Sequence, residues 1–362
     1  MAANLKTKRV LVYRLGSLGD TVVALPALHL VARAFPNAER RMLTNVPVSS
    51  KAPAAGVVLN GTGLVDGYIT YKVGTRTVVD VVSLWWQIAR WRPQVVVYMA
   101  AFRGTASVVR DARFFSLCGI GRHIGIPVSE AMQQNLWQEN DQTLEPEASR
   151  LVRNLADLGA AGLDDPANWD LRLSEAEVAR AREAVGPANG MPLIAVSVGT
   201  KVQAKDWGKE NWRSLLAEMA LRYPGHALAL CGAAEESEAS EFAAQGWRGA
   251  SSANAAVMNL CGRLTPRESA AVFARSQIFI GHDSGPMHLA AAVQTPCVAI
   301  FAARNKPRVW FPYGRQHRVI YHQVECWGCG LETCVVEKKR CILSITVAEV
   351  IAQMDELLRR PE

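Results

Sequence analysis

The residues best suited to chemistry lie in one stretch, residues 278–301, IFIGHDSGPMHLAAAVQTPCVAIF. A short apolar run ends in the turn Gly281-His282-Asp283-Ser284-Gly285. Pro286 then stands where the first turn of a helix accepts it, since a missing backbone N–H costs nothing there. The helix start brings unpaired N–H groups and the positive end of its dipole to the turn, which makes a natural seat for a phosphate. Asp283, Ser284 and His288 meet there. A plain capped helix, with Asp283 as N-cap, is the other reading of the same residues.

A second candidate is Asp20, in the loop Gly16-Ser17-Leu18-Gly19-Asp20 behind an apolar strand expected over residues 8–14. Its carboxylate could cap a helix or face a ligand. The loop lacks the third glycine of G-x-G-x-x-G, and its acid sits in the turn and not about 20 residues later, so dinucleotide binding is weakly supported. A third group is basic. Arg103, Arg110, Arg113, Arg122 and His123 follow the strand expected over 94–99, either as a solvated face or as contacts for an anionic acceptor.

The eight cysteines fall into two sets. Cys118, Cys231, Cys261 and Cys297 stand alone in apolar surroundings and read as small buried side chains. Cys326, Cys329, Cys334 and Cys341 are spaced C-x2-C-x4-C-x6-C. That spacing could wrap a structural tetrahedral ion, or form a cysteine-rich loop without one.

These groups must be positioned by alternating strands and helices. Helices are expected over 21–34, 78–90, 148–158, 174–184, 211–222, 235–244, 266–275, 287–293 and 347–358. Strands are expected over 8–14, 40–43, 94–99, 193–198, 227–231, 258–261 and 297–301. Residues 129–147 are polar and read as a loop or rim, and 162–192 is proline-punctuated. Two βαβα series in succession imply two doubly wound domains facing a cleft, with ligands at the carboxyl ends of the strands. The expected division is 1–170, 171–345 and a closing helix, 346–362, packing back on the first domain.

At 362 residues, 49% hydrophobic and 20% charged, the composition is ordinarily globular, and two domains of common size are the default. The net charge of +7 favours an anionic partner without choosing among nucleotide, glycolipid, nucleic acid and membrane surface. The N-terminal residues do not read as a signal peptide, because the apolar run is short and Arg14 interrupts it. No window reaches the roughly 18 uncharged apolar residues of a membrane-spanning helix. The expected location is cytoplasmic, with room for contact at a membrane.

Three motifs together resemble glycosyltransferase family 9, the group that includes the lipopolysaccharide heptosyltransferases. They are Arg14-x5-Asp20 with Pro26 downstream, Gly199-Thr200-x4-Lys205-Asp206-Trp207, and Asp283-Ser284-Gly285-Pro286-Met287-His288-Leu289-Ala290. The resemblance covers nearly the whole chain. It implies an α/β GT-B fold of two Rossmann-like domains, the first binding the acceptor and the second a nucleotide-sugar, with ADP-heptose the first guess. It implies inverting transfer that requires no metal cofactor, to a lipopolysaccharide-core or other lipid-linked glycan. Nucleic acid is not an implied partner, and peripheral contact with the inner membrane is.

By position, the resemblance makes Asp20 the general base and puts Arg14 and Arg103 near the acceptor or the departing phosphate. Thr200 and Lys205 would hold the diphosphate, with Asp283, Ser284 and Gly285 completing its cradle and His288 supporting it from inside the helix. Glu236 would meet the nucleoside ribose. Trp207 reads as packing. After residue 301 relatives often carry glycine, proline and threonine; Ala302, Ala303 and Arg304 stand there, and Arg304 and Lys306 could add phosphate contacts. A nucleotide-sugar epimerase of the same architecture and a non-catalytic nucleotide-sugar-binding relative are the alternatives.

Overall fold

A computed structural model describes residues 6–46, 55–72, 77–101, 103–139, 143–188, 190–250 and 256–359. It divides into two compact units, Met1–Arg172 and Leu173–Glu362.

The first unit is built on strands β1 (Arg9–Tyr13), β2 (Glu39–Val46), β3 (Gly67–Lys72), β4 (Val95–Tyr98) and β5 (Arg122–Ile124). They form a parallel sheet in the order β3-β2-β1-β4-β5. β1 and β4 are buried on both faces, which is why they read as unbroken β-branched runs and not as alternations. The connections are α1 (Leu18–Val23), α2 (Leu25–Ala34), α3 (Ala55–Leu59), α4 (Val78–Trp91) and α5 (Thr105–Leu117). The helix expected over 21–34 is two helices joined at Ala24. Pro26 has no N–H for the carbonyl four residues back and its ring crowds that carbonyl, so the chain restarts there with proline in a first-turn position. The stretch expected as a loop at 129–147 instead holds α6 (Glu130–Gln133) and an antiparallel pair, β6 (Trp137–Gln138) with β7 (Thr143–Leu144). Residues 140–142 lie outside the described part. Helix α7 (Glu147–Asn154) follows, with Glu147 and Arg150 on its buried side.

The second unit begins with α8 (Glu175–Ala184), whose start is fixed by a Ser174–Glu177 capping box. Then come β8 (Leu193–Ser197), α9 (Lys209–Arg222), β9 (Ala227–Leu230), α10 (Ser237–Ala250), β10 (Val257–Asn259) and α11 (Pro266–Phe273). The capping box expected at Thr265 and Glu268 is present, with Pro266 opening α11. The unit continues through β11 (Ile278–His282), α12 (Gly285–Ala292), β12 (Cys297–Phe301), β13 (Arg318–Tyr321), α13 (Arg340–Leu343) and α14 (Val347–Leu358). Its six-stranded parallel sheet has the order β10-β9-β8-β11-β12-β13. Trp207, Trp212 and Trp247 are fully buried in its core. The closing helix α14 does not pack as expected: its buried Val350, Ile351 and Met354 belong to this same core. Its apolar stripe is satisfied by the sheet on which its own unit is built.

In each sheet the winding direction reverses once, between β1 and β4 in the first unit and between β8 and β11 in the second. Loops on the two sides of such a reversal diverge and leave a crevice at the strand ends, where ligands of open α/β sheets bind.

Candidate active site

The two switch points gather nearly all the chemically apt residues. In the first unit Tyr13 pairs in register with Tyr98, so Arg14 leaves β1 beside Met99. Arg14 is only 1% exposed. Its Nη1 donates to the Met99 carbonyl at 2.7 Å, and Nε and Nη2 donate to the Asp20 carbonyl at 3.2 and 2.8 Å. Glu147 Oε1 lies 3.5 Å from Nη1 and also pairs with Arg150 at 2.7 Å. Burial by itself would raise the Glu147 carboxyl, but hydrogen bonds and charge from Arg150, with the charge of Arg14, hold it below the ordinary glutamate range. Arg14 was expected near the acceptor or departing phosphate; its geometry is that of a buried brace, because every guanidinium nitrogen donates to protein.

What Arg14 braces is the turn carrying Asp20. Asp20 Oδ2 accepts from the Ser17 backbone N–H at 2.7 Å and from its hydroxyl at 2.9 Å, so the carboxylate closes the first turn of α1. Asp20 Oδ1 lies 3.8 Å from Arg14 Nη2, and the side chain keeps about a quarter of its surface in solvent. The N-cap itself is Ser17; Asp20 is the third residue of its capping box and keeps part of its carboxylate in solvent. Gly16 makes this possible: it has φ +129°, and a Cβ there would stand 2.3 Å from Asp20 Cγ. Arg103, after β4, donates to the Tyr13 hydroxyl at 2.8 Å and pairs with Asp111. It is tied to the sheet end and only part exposed.

In the second unit Gly281 pairs in register with Ser197, which brings residue 199 level with residue 283 across the switch point. Lys205, in the 3-10 turn Gln203–Lys205, reaches over to Asp283. Its ammonium is 2.6 Å from Asp283 Oδ2 and donates to the Asp283 carbonyl at 3.2 Å. Asn305 Nδ2 donates to the same Oδ2 at 3.2 Å. The N-cap of α12 is therefore Ser284 and not Asp283, whose carboxylate is committed to Lys205. Ser284 Oγ makes no cap bond and is a buried hydroxyl oxygen without a partner. Buried polar atoms are nearly always satisfied, and a helix N-terminus is chemistry that can receive an anion.

Thr200 follows β8, and its Oγ1 accepts from the Val202 N–H at 3.4 Å. Glu236 folds over the same turn: a Cβ on Gly199 would lie 1.9 Å from its carboxyl, so only glycine lets that acid in. Its Oε2 also accepts from the Ala233 N–H at 2.9 Å. His288 is buried inside α12, edge-on to Trp310 with centroids 6.4 Å apart. Trp207 is fully buried and donates to the Ile345 carbonyl at 2.9 Å, the packing role expected of it.

Sequence reasoning gave no role to His282, which ties these loops together. It is fully buried; the Trp207 N–H donates to its Nε2 at 3.1 Å, and Nδ1 faces the Gly199 carbonyl at 3.5 Å. Desolvation lowers it to about 4, so it stays neutral, with the tautomer that these two partners demand. A polar residue closing an otherwise apolar strand was the available signal.

The cysteine-rich segment supports the Lys205 loop from behind. Ala204 N–H donates to the Glu332 carbonyl at 3.0 Å, Cys334 N–H to Gln203 Oε1 at 2.9 Å, and Lys339 Nζ to the Asp206 carbonyl at 2.8 Å. Arg304, a candidate phosphate contact, instead donates to the Gly330 and Leu331 carbonyls at 2.6 Å each. Cys326, Cys329, Cys334 and Cys341 line one small cavity as free thiols. Four thiols are apt chemistry for a soft ion. Among the described residues, as placed here, no three potential ligands stand close enough together to hold one.

Comparison with known proteins adds to this geometry. The description of Glycosyltransferase family 9 (heptosyltransferase) matches residues 107–340. Lipopolysaccharide heptosyltransferase 1 of Pseudomonas aeruginosa is 26% identical, over 98% of this chain and 99% of its own length. Lipooligosaccharide heptosyltransferase 2 of Campylobacter jejuni is 26% identical over 47% of this chain, and the match spans only 52% of that relative. Among solved structures, a glycosyl transferase family 9 protein of Veillonella parvula superposes with a TM-score of 0.67 at 17% identity, over 97% of each chain. The E. coli heptosyltransferase WaaC, solved with ADP-2-deoxy-2-fluoro heptose, gives 0.62 at 16% identity over 96% of this chain and 99% of that one. The E. coli glycosyltransferase TibC, described as iron-containing and dodecameric, gives 0.50 at 13% identity over 98% and 77%. The fold is that of the GT-B heptosyltransferases, two Rossmann-like units in one chain. Among the described residues no helix is long and apolar enough to cross a membrane.

Proposed function

The chain belongs to glycosyltransferase family 9, and from that premise we propose that it transfers heptose from ADP-heptose to a lipopolysaccharide-core or similar lipid-linked glycan, with inversion at the anomeric carbon. The observation that carries the donor half is the convergence of the Lys205 ammonium, the unpartnered Ser284 hydroxyl and the start of α12 at the β8–β11 switch point. WaaC, a relative in fold, is a heptosyltransferase that holds an ADP-heptose analogue, which supports ADP as the carrier. The name of the Pseudomonas relative supports the acceptor class.

The chemistry assigns each unit one task. In the first, an acceptor hydroxyl gives its proton to Asp20 as its oxygen attacks the anomeric carbon; without such a base the hydroxyl is a poor nucleophile. In the second, the bond from that carbon to the diphosphate breaks and its electron pair leaves with the phosphate oxygen. The ammonium of Lys205 and the N–H groups at Ser284 and Gly285 neutralise this departing charge, with Thr200 adding a hydroxyl contact and Glu236 a carboxylate for the ribose. His288 holds α12 in place. Arg14 positions Asp20, and Arg103 presents its remaining exposed edge to the acceptor. These donors are preorganised, so the transfer step needs no metal cofactor.

The test is calorimetric titration with ADP, UDP and GDP of the wild type and of Lys205→Ala. ADP should bind the wild type more tightly than UDP or GDP, and its affinity should fall about tenfold or more in the variant, a loss of at least one charge-assisted contact. Equal affinity in both proteins would remove the donor site from this switch point.

A further inference from the structure

Helix α4 has no use in the proposed transfer, and its construction is unusual. Fourteen residues long, it buries only Ile88 and Trp91 near its C-terminal end. Its first three turns carry Val78, Val79, Val82, Trp85 and Trp86, spaced i, i+1, i+4, i+7 and i+8, which is one stripe of a helix. That stripe faces outward: Val78 is 78% exposed, Val79 77%, Val82 53% and Trp86 58%. Trp85 Nε1 donates to the Leu117 carbonyl at 2.8 Å, which joins the exposed Leu117 of α5 to the same patch. Scattered exposed apolar residues are ordinary; six adjoining ones are not.

The charges along this stretch of chain select its partner. Between Val78 and Leu117 there are five arginines (Arg90, Arg92, Arg103, Arg110, Arg113) against two acids, Asp80 and Asp111, a local balance of 5 − 2 = +3. Arg103 and Arg110 pair with Asp111, whereas Arg90, Arg92 and Arg113 are exposed and make no ion pair among the described residues. Docking against a second copy of the same face would set +3 against +3. An anionic lipid surface instead accepts both the basic rim and the apolar stripe, and tryptophan is at home at the headgroup level. At about 21 Å, from 1.5 Å per residue, the helix is too short to span a bilayer and long enough to lie in its surface.

We propose that α4 docks this protein on an anionic phospholipid bilayer, the Val78–Trp86 stripe entering the headgroup region while Arg90, Arg92 and Arg113 meet lipid phosphates. The inference stands on the first unit alone, and nucleotide binding at the second unit tests separately.

Co-sedimentation of the full chain with vesicles of phosphatidylethanolamine and phosphatidylglycerol, against pure phosphatidylcholine, decides it. The wild type should pellet with the anionic vesicles and be largely released by 0.5 M salt, at which the Debye length is about 4–5 Å. The variant Val78→Gln, Val82→Gln, Trp86→Gln keeps good helix formers at exposed positions. It should partition about tenfold more weakly or worse while binding ADP as the wild type does. A second variant, Arg90→Gln with Arg113→Gln, should weaken binding at low salt and flatten its salt dependence. The proposal is overturned if the wild type stays in the supernatant or if the triple variant pellets equally. It is also overturned if the triple variant's only change is loss of a wild-type dimer in sedimentation equilibrium, which would assign the patch to a second copy.

Discussion

At the switch point of the first unit the more exposed member of an ion pair is a carboxylate, and at that of the second it is an ammonium. Asp20 is offered to solvent while its counter-charge, Arg14, is almost wholly buried. Lys205 and Asp283 are both largely buried, Lys205 the less so at 15% against 7%. The pairs also differ in closeness, 3.8 Å in the first and 2.6 Å in the second. One topology, used twice, leaves a carboxylate the more exposed partner in one unit and an ammonium in the other, which the proposed function uses as proton acceptor and anion seat. The sign of the side chain left facing outward, and not the fold, separates them. In both, the inner partner orients the outer one, so damage to the inner partner should look different from damage to the outer.

The sharpest break of this contrast is Asp20→Asn. Asparagine still accepts the Ser17 hydrogen bonds but takes no proton. The turnover rate should fall by about 10²–10⁴, with ADP affinity unchanged by calorimetry. If ADP affinity fell and turnover survived, the division of tasks between the units would be wrong. Arg14→Ala attacks the inner partner. It removes the donors to the Met99 and Asp20 carbonyls and one cation of the buried Glu147 pair. A loss of about 3–5 kcal/mol is expected, read as early unfolding of the first unit in urea with the second unit's transition unmoved. A third variant, Gly16→Ala, leaves every charge in place and forces a methyl into the space of the Asp20 carboxyl. Moving the base by about 1 Å should cost about 10²-fold in rate, with no change in ADP affinity. Parallel losses of rate and affinity would mean that Gly16 serves the fold as a whole.

The smallest effect expected is in pH. His282 and His317 are both lowered to about 4, chiefly by burial, against ordinary values near 6.5. Between those values the unfolded chain binds protons that the folded chain refuses. Stability from these groups is therefore complete above about pH 6.5 and drains away as pH falls toward 4. Melting curves at pH 7, 6 and 5 should show the second unit losing stability. Replacing His317 with asparagine should flatten that slope at some cost in stability at pH 7. A second unit with equal stability at pH 7 and 5 would contradict the burial argument.

Much of this was legible in the residues. Helix starts at Ser174, Thr265 and Thr346 declare themselves because a capping box acts across four residues. The buried parallel strands announce themselves as apolar runs, and the glycine turns after β1, β8 and β11 mark their carboxyl ends. Elements too short or too mixed for periodicity, such as β3, β13 and the β6–β7 pair, gave no such signal, because their pairing depends on neighbours and not on their own pattern. Asp283 illustrates the limit. A turn acid before a helix is locally indistinguishable from an N-cap, and only the approach of Lys205, 78 residues away in the chain, commits it otherwise.

By itself, then, the sequence determined the two α/β series, the places where chemistry gathers and the family resemblance, since each is written in spacings of a few residues. Tertiary structure decided which of the charged side chains face outward. Arg14 became a brace when Met99 and Glu147 closed over it, His282 a neutral tie between two loops when Trp207 and Gly199 met its ring nitrogens, and α4 a bare face when nothing described in the chain covered it. Exposure, ion pairing and proton affinity are set by long-range packing and desolvation, and no local pattern encodes them.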